Sequence, residues 1–464
     1  MKRVFSLLLI ICLIGSTLLT TGCSFKEEDA HLSVKESLNT NYDSLVESLG
    51  HMTSFQQLSD FLSSWAKKNK INVKSSNDKY IVLSSNATSG YEKAQSTTLH
   101  CVVPRESDKE ETFQAVSAAM TTLYSATNHG KLNVIFSTEE KGVSVGTNGL
   151  SKKYTDVNNL VNLEYSDETV VNDTIAASMD LNIKHKLKKA SPKYTKSYKI
   201  TLDGPTYRSA FKNTNSLPNG IRTLGNLIAS CKSSSILFEL ASFNGGEVTS
   251  TMPGKTTAVI VLQENDVESF QSKFDNSFES VSEDYQDAEE DFSYTMEPVK
   301  RPEKVINITD TENIVSLLYT LTNGVYFKSD EGDIIGASNM GTISTKENEF
   351  NLKIQAKSLD PSILDEMKTV FATTCALSDM KYKFTNQVEL WSAPNESKLI
   401  KSITSVNDSP AVGTLQNLSG TIFAESNPKI NMAICTINLK NGAAQINSLI
   451  EYMEQMNVVN VLKD

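Results

Sequence analysis

The chain has 464 residues, 39% of them hydrophobic, and a net charge of −11 that results from 44 basic and 55 acidic residues. This length exceeds what one hydrophobic core usually supports, so it predicts two domains. The acidic balance argues against nucleic acid or an anionic lipid surface as the main partner.

The first 23 residues have the pattern of a bacterial export signal. Lys2 and Arg3 precede an almost wholly apolar run, Val4–Leu19, that is too short to span a bilayer. Cys23 then ends a sequence that resembles a lipobox, although Thr20 stands where a lipobox usually has leucine. We predict a protein that is anchored outside the cytoplasm to the bacterial cell membrane by a lipid on Cys23; an ordinary secreted protein is the alternative.

The next part of the chain alternates between helical and strand-like patterns. Residues 24–35 are polar and charged and predict a short tether. Leu58, Leu62 and Trp65 recur at helical spacing within residues 38–69. Strand-like runs and an Ala-rich helix then alternate, which predicts an α/β domain with a largely parallel core sheet; the runs are 80–84, 98–103, 111–125 (the helix), 131–136 and 160–164.

The character of the sequence changes near residue 190, where the run 186–199 is polar and rich in lysine. Two sets of strand and helix patterns follow. From residue 397 the pattern of the first domain returns, with a helix to about 406, strands near 419–424 and 431–438, and a closing helix. The sequence therefore predicts a split domain at 36–190 and 392–464, with an insert at 191–391.

The four cysteines beyond the signal predict buried thiols. They are far apart and form no CxxC pair, so no zinc knuckle or disulfide framework is indicated. Small or apolar residues flank each of them; they are Cys101, Cys231, Cys375 and Cys435.

Two short motifs resemble catalytic or nucleotide signatures but lack their context. Residues 142–146 match G-x-S-x-G, yet polar residues separate them from the strand before, and the residues after them begin a helix poorly. Residues 253–256 resemble the end of a phosphate-binding loop, but Thr249 stands at the first glycine position and a strand follows. Neither predicts a site.

A dispersed set of metal-type side chains is more informative. His100 lies in the strand-like run 96–103, the pair Glu139 and Glu140 follows a strand, and Glu164 ends another strand. Taken alone, a histidine in a strand is usually packed, and a glutamate pair after a strand is usually solvated. Their order and the sequence around them favour a relation to metallopeptidases.

The chain resembles the aminoacyl-histidine dipeptidases, a branch of the zinc exopeptidases, from about residue 40 to the end. The resemblance implies an α/β, three-layer zinc-exopeptidase-like domain with an inserted α+β lid, and family members often pair through their lids, which implies a possible homodimer. The segments that carry it are 61–70, 87–92, 136–150 (FSTEEKGVSVGTNGL), 160–168 (LVNLEYSDE), 244–253 (NGGEVTSTMP) and 323–358.

The resemblance also assigns the residues of a centre in which two zinc ions would share a bridging carboxylate and activate a water. His100 would be the first metal ligand, Glu139 the general base, Glu140 a ligand of the second metal, and Glu164 the counterpart of an aspartate ligand. At the other positions the expected residue is missing. Val102 stands in place of the orienting aspartate, and Thr112 or Phe113 stands in place of the bridging aspartate. Ser426 or one of its neighbours stands in place of the final histidine.

The residues that bind the substrate in the family are also replaced in this sequence. The turn at 203–208 lacks the histidine that stabilises the oxyanion in the family, and the substrate-gripping residues are replaced around Ser250 and Gly254. The first hypothesis is a membrane-anchored, inactive homologue that binds a peptide or protein partner, has no cofactor, and keeps an acidic cleft around Glu139 and Glu140. The alternatives are a residual metal-dependent dipeptidase that hydrolyses Xaa-His dipeptides with zinc at a rebuilt site, and a purely structural surface role.

Overall fold

The computed structural model describes residues 25–105, 109–141, 143–205, 209–211, 217–286, 292–407, 410–416 and 419–461. Two nine-stranded sheets organise them: the first takes strands from both ends of the chain, and the second is built from the segment between. The predicted signal, with the acylation site Cys23, lies outside the described residues. Among the helices of the described part, none is both long enough and apolar enough to cross a bilayer.

The amino-terminal part begins with two helices, α1 (Phe25–Leu49) and α2 (Phe55–Lys68). The tether predicted at 24–35 is wrong for residues 25–35, which form the first turns of α1. The physical reason is that Val34 and Leu38 continue the helical spacing of apolar residues and are buried in the core of the first domain.

The elements that follow supply most of the first sheet. They are β1 (Asn72–Ser76), β2 (Tyr80–Ser85), β3 (Thr97–Pro104), α3 (Lys109–Ser125), β4 (Leu132–Glu139), the short helices α4 (Val145–Asn148) and α5 (Lys152–Thr155), β5 (Asn159–Tyr165) and β6 (Val171–Ile175).

The middle of the chain forms the insert. It consists of β7 (Ala177–Lys186), β8 (Lys189–Ala190), β9 (Lys196–Asp203), α6 (Gly220–Ser233), β10 (Phe238–Gly245), β11 (Lys255–Leu262), α7 (Val267–Asp284), β12 (Ser293–Pro298), β13 (Val305–Ile306), α8 (Ile308–Thr320), β14 (Gly324–Lys328), β15 (Ile334–Ser344), β16 (Glu349–Ser358), α9 (Pro361–Leu377) and β17 (Lys381–Val388).

The chain then returns to the first domain. The returning elements are β18 (Trp391–Ser392), α10 (Lys398–Asn407), β19 (Val412–Thr414), α11 (Thr421–Ser426), β20 (Asn431–Ile437) and α12 (Gly442–Val461). The strand predicted near 419–424 is wrong, because residues 421–426 form α11. An apolar run this short does not distinguish a strand from a buried helical turn.

The first sheet has the order β1-β2-β4-β3-β5-β20-β6-β18, with β19 beside β6. Its centre, β4-β3-β5-β20, is parallel, which confirms the predicted parallel core. These central strands are continuous apolar runs because helices cover one face and further elements the other. The carboxyl ends of β3, β4 and β5 therefore meet at one edge, where the predicted site residues lie.

The second sheet has the order β12-β9-β11-β10-β15-β16-β7-β17, with β14 beside β15, and its pairs are antiparallel. Strand β7 belongs to this sheet, so the predicted boundary at residue 190 is wrong and the insert begins at about residue 177. The sequence ASMDLNIKHK alternates buried and exposed positions, as expected of an antiparallel strand with one solvated face.

Each sheet has its own hydrophobic core, and the predicted burial of the thiols is confirmed. Cys101 and Cys435 lie in the core of the first domain, and Cys231 and Cys375 lie in that of the insert. Burial raises the pKa of Cys101 well above its usual range, and raises the pKa of the other three to about 12. These thiols are therefore protonated packing groups rather than ligands or nucleophiles.

A smaller apolar cluster joins the two domains, and a buried lysine lies beside it. Ala176 and Leu415 of the first domain pack with Phe211 and other residues of the insert. The Lys357 ammonium lies 5.1 Å from the centroid of the Phe211 ring, and no carboxylate pairs with it within the described part of the chain. Burial lowers the pKa of Lys357 to about 7, and Asp180 opposes this shift only in part.

We expect Lys357→Met to raise the free energy of unfolding by on the order of 2 kcal/mol at pH 7. Between pH 7 and 10.5 the unfolded lysine binds a proton more readily than the native one, so the native state loses stability as the pH falls through this range. The gain from the substitution should therefore be largest at or below pH 7 and should shrink towards pH 10.5. Urea unfolding at pH 7 and pH 10 measures it.

Lys353→Met is the matched control, since Lys353 lies on the same face of β16 but is exposed. It should change the free energy of unfolding by less than about 0.5 kcal/mol at either pH. Equal effects of the two substitutions would contradict the assignment of Lys357 as an unfavourably buried cation.

Candidate functional site

The parallel strands bring three of the predicted site residues towards one region. In the register of the sheet His100 on β3 is opposite Asn162 on β5, and Pro104 is opposite Glu139 on β4. Glu164 lies two residues beyond Asn162 and therefore on the same face of β5. The sheet thus assembles the remnants of the predicted centre, which we call the cleft.

His100 is completely buried and makes hydrogen bonds through both ring nitrogens. Nδ1 lies 2.7 Å from Asn162 Oδ1, and Nε2 lies 2.8 Å from Ser137 Oγ. Thr147 Oγ1 lies 2.9 Å from Ser137 Oγ and 3.3 Å from Nε2, and Ser419 Oγ donates to Asn162 Oδ1 at 3.0 Å. We call these five residues the His100 cluster.

The partners decide the tautomer of the imidazole. Asn162 Nδ2 donates to Glu164 Oε1 at 2.9 Å, so Asn162 presents its carbonyl oxygen to His100. Nδ1 then carries the proton, and Nε2 accepts from the Ser137 hydroxyl. Burial lowers the pKa of His100 to about 4, against a smaller opposite effect of the Asn162 hydrogen bond, and the ring is therefore neutral at physiological pH.

The glutamate pair lies at the end of β4 and does not contact the His100 cluster through the bonds described. Glu139 is half-buried, and its Oε2 accepts from Ser144 Oγ at 3.5 Å. Glu140 Oε1 lies 3.4 Å from Arg105 Nη1, and because both side chains are exposed this ion pair offsets only part of the negative charge that the sequence predicted for the cleft. Ser144 belongs to the G-x-S-x-G run, whose Gly142 lies outside the described residues.

A neighbouring turn joins this edge to the insert. Lys141 has a φ of 53°, and its backbone reverses so that Glu140 and Val143 exchange two hydrogen bonds. Its ammonium lies 2.8 Å from the Glu247 carboxylate of the insert. Both side chains are about half exposed, so this ion pair positions the turn more than it stabilises the fold.

The remaining ligand places are occupied by residues that cannot replace a metal ligand. Phe113 is buried in the core on α3, and Val102 is apolar. Ser426 Oγ donates to Thr155 rather than to His100, at 3.1 Å. It is Ser419, seven residues before it in the chain, that reaches the His100 cluster from the returning segment.

The donor set does not fit a dinuclear zinc centre. Within the described residues no group of three or more His, Cys, Asp and Glu side chains is placed to hold a metal ion. A catalytic zinc ion normally takes three protein ligands and keeps one open position. Here the one histidine of the cleft has both nitrogens engaged, and the carboxylates bind Asn162, Ser144 and Arg105.

The described residues at the predicted substrate-binding positions make contacts with other parts of the insert. Asp203 forms an ion pair with Lys255, and Ser250 accepts the Ala210 amide through its carbonyl oxygen. Gly254 accepts the Gly204 amide in the same way. Residues 206–208 of the turn predicted to replace the oxyanion histidine lie outside the described residues.

Sequence reasoning pointed to His100, Glu139, Glu140 and Glu164, whose roles stay predictions, and it missed the partners of His100. A signal for two of them was available: Ser137 and Asn162 stand two residues before Glu139 and Glu164, so they lie on the same face of their strands. No sequence pattern pointed to Thr147 or Ser419, which reach the imidazole from a short helix and from a distant segment.

Comparisons with known proteins agree with this architecture. No protein-family model matches the chain. It is 22% identical over 362 residues to the cytosol non-specific dipeptidase of Escherichia coli (strain K12), covering 70% of this chain and 74% of that protein. The crystal structure of aminoacylhistidine dipeptidase from Vibrio alginolyticus superposes with a TM-score of 0.62 at 16% identity, over 90% of this chain and 96% of that one. The predicted fold, a peptidase-like α/β domain with an inserted lid, is confirmed.

We expect His100 to make the protein sensitive to acid. The unfolded imidazole has a pKa of 6.5 and the native one about 4, so the unfolded state takes up the proton first as the pH falls. Native stability should therefore fall between pH 6.5 and pH 4, by on the order of 3 kcal/mol from this group. Urea unfolding of the wild type and His100→Gln at both pH values should show a smaller decrease for the variant.

The control is His51→Gln, because His51 is exposed in the loop between α1 and α2. This substitution should leave the pH dependence unchanged. If His100→Gln has the same pH dependence as the wild type, the imidazole is not the neutral, buried group described above.

Proposed function

We propose that the protein is a degenerate relative of zinc dipeptidases that does not hydrolyse peptides and instead binds a peptide or protein partner. The observation that carries the proposal is the state of His100. Its two ring nitrogens are both taken by Asn162 and Ser137 in a fully buried cluster.

A zinc ion at this position would need a free imidazole nitrogen. Binding through Nε2 would remove the acceptor of the Ser137 hydroxyl and leave buried polar groups to be satisfied elsewhere, at a cost of roughly 1–3 kcal/mol for each such group. Binding through Nδ1 would displace Asn162, which also connects to Glu164. The cluster therefore stabilises the protein through the same two ring nitrogens that a metal site would require.

The loss of the metal position changes what Glu139 can do. A carboxylate acts as general base on a water that is activated and held in place, and the described residues offer no donor set to hold such a water on a metal. Glu139, together with Arg105 and Lys141 nearby, instead offers charges of both signs to the termini and side chains of a bound peptide.

The location of the protein is part of the same proposal. The pattern around Cys23 supports an extracytoplasmic protein held at the bacterial cell membrane by an N-terminal lipid, and the net charge of −11 gives no reason to invoke nucleic acid. Pairing of two copies through the insert remains a proposal that rests on the resemblance to the dipeptidases alone.

A residual metal-dependent dipeptidase is the second candidate. It is favoured by the three carboxylates Glu139, Glu140 and Glu164, which the sheet retains at the carboxyl ends of β4 and β5, and by the similarity to a dipeptidase. In that case zinc would require a rearranged site, in which His100 leaves Ser137 or Asn162.

Metal content and turnover test the proposal directly. We expect the purified protein to hold less than about 0.1 zinc per chain after dialysis, because one to two ligands per ion give weak binding. It should release no histidine from Ala-His with added zinc or manganese. Near-stoichiometric metal, with turnover that Glu139→Gln abolishes and the exposed Glu268→Gln preserves, would establish the second candidate instead.

Binding in the cleft is the positive arm of the same test. Intact Ala-His should bind saturably in calorimetry, and Arg105→Gln should weaken it by roughly tenfold, because a charge-assisted contact is worth about 1.5–3 kcal/mol. Lys68→Gln, an exposed substitution on α2, should have no effect. Failure of Ala-His and of longer peptides to bind would leave the structural role as the better explanation.

A further inference from the structure

A cavity of about 1370 Å³ opens between α10 and α12, at the edge of the first sheet away from the cleft. Its floor contains Asn431, the first residue of β20, and Gln95, which lies just before β3. Parallel strands begin at a common edge, so this floor lies at the amino ends of the strands whose carboxyl ends form the cleft. Asn159 and Glu164 mark the two edges on β5 and are roughly 16 Å apart along the strand, at about 3.3 Å per residue.

A relay of hydrogen bonds orients the amides of this floor. Ser397 Oγ accepts the Ile400 N–H of α10 at 3.2 Å and donates to Asn431 Oδ1 at 2.7 Å. Asn431 Nδ2 donates to Asn159 Oδ1 at 2.9 Å, and Asn159 Nδ2 donates to Gln95 Oε1 at 3.1 Å. The relay therefore leaves the Gln95 amino group, which has two N–H donors, with no partner among the described residues and free to face the cavity.

Buried polar groups hold the relay rigid. Asn159 is fully buried, and the hydroxyl of the buried Tyr452 on α12 donates to Asn159 Oδ1 at 3.2 Å and accepts from Asn431 at the same distance. Each of these groups has a protein partner, so the amide floor keeps its orientation without a ligand. A preformed arrangement of this kind reduces the entropy that a ligand loses on binding.

The walls of the cavity carry charges of both signs. Lys35 on α1 and Lys398 on α10 have no ion pair within the described part of the chain, and neither has Glu451 on α12. The other two charged residues of the lining, Lys401 and Glu396, pair with each other. Most of the remaining polar lining consists of asparagine, glutamine and serine.

We infer that this cavity, which we call the amino-end cavity, binds a short peptide with free termini. Its carboxylate would meet the ammonium groups of Lys398 and Lys35, its amino terminus the Glu451 carboxylate, and its backbone amides the side chains of Gln95 and its neighbours. The volume exceeds the roughly 300–1000 Å³ of usual small-molecule sites and has room for several residues. The presence of both charges and of amide groups favours a zwitterionic peptide over a purely anionic ligand.

Calorimetry with the purified protein and the hexapeptide Gly-Ala-Gly-Ala-Gly-Ala tests this inference. The peptide with free termini should bind saturably, and the same peptide with an acetylated amino end and an amidated carboxyl end should bind about tenfold or more weakly. Lys398→Met and Gln95→Glu should each lower the affinity for the peptide with free termini by roughly tenfold. Gln95→Glu keeps an oxygen for Asn159, so the relay should persist, while the two N–H donors are lost and a negative charge takes their place.

Two control variants separate this site from other effects. Lys429→Met removes an exposed lysine outside the cavity and should retain full affinity for the hexapeptide. The loss of affinity caused by Lys398→Met should persist when both proteins also carry Arg105→Gln, which alters the cleft. Absence of binding at millimolar peptide, equal binding of the capped peptide, or equal losses in Lys398→Met and Lys429→Met would overturn the inference. Because the cleft is the same in both members of that comparison, its outcome is independent of whether the cleft functions as proposed.

Discussion

The hydrogen bonds of one buried imidazole determine how the rest of the first domain can be used. His100 lies in the middle of the parallel sheet, where water does not reach it, and a neutral ring with both nitrogens bonded is the state that this position allows. Ser137, Asn162, Thr147 and Ser419 come from separate elements and meet at this ring. A side chain that could hold a metal has in this way become part of the packing that holds the strands together.

In the cleft, protein side chains bind the carboxylates that metal ions would bind in a dinuclear centre. In a dinuclear centre metal ions neutralise the clustered carboxylates, whereas here Arg105 pairs with Glu140, and an amide binds Glu164. Lys141, held in a left-handed turn, extends the network to Glu247 of the insert. Protein cations are bulkier and more weakly polarising than zinc, so the charge compensation at this edge differs in kind from that of a metal centre.

The two edges of the parallel sheet give the protein two separate surfaces that carry polar side chains. At the carboxyl ends lies the cleft, where Glu139, Glu140 and Glu164 are bound by Ser144, Arg105 and Asn162. At the amino ends lies the amino-end cavity. The Ser397 hydroxyl and a relay of hydrogen bonds orient the amide side chains on its floor. The insert meets the first domain through an apolar cluster beside Lys357, so protonation of one amine affects the stability of the junction.

The sequence alone determined the α/β class, the parallel core and the burial of the cysteines, because these depend on local periodicity and on the order of residues along the chain. It did not determine that β7 belongs to the insert, since the lysine-rich stretch after it concealed its alternation, nor that residues 25–35 are helical. Tertiary structure alone decided that Ser419 reaches His100 and that Arg105 pairs with Glu140, as those residues are 319 and 35 positions apart. Such contacts arise only when the strands are placed side by side, and local spacing carries no information about them.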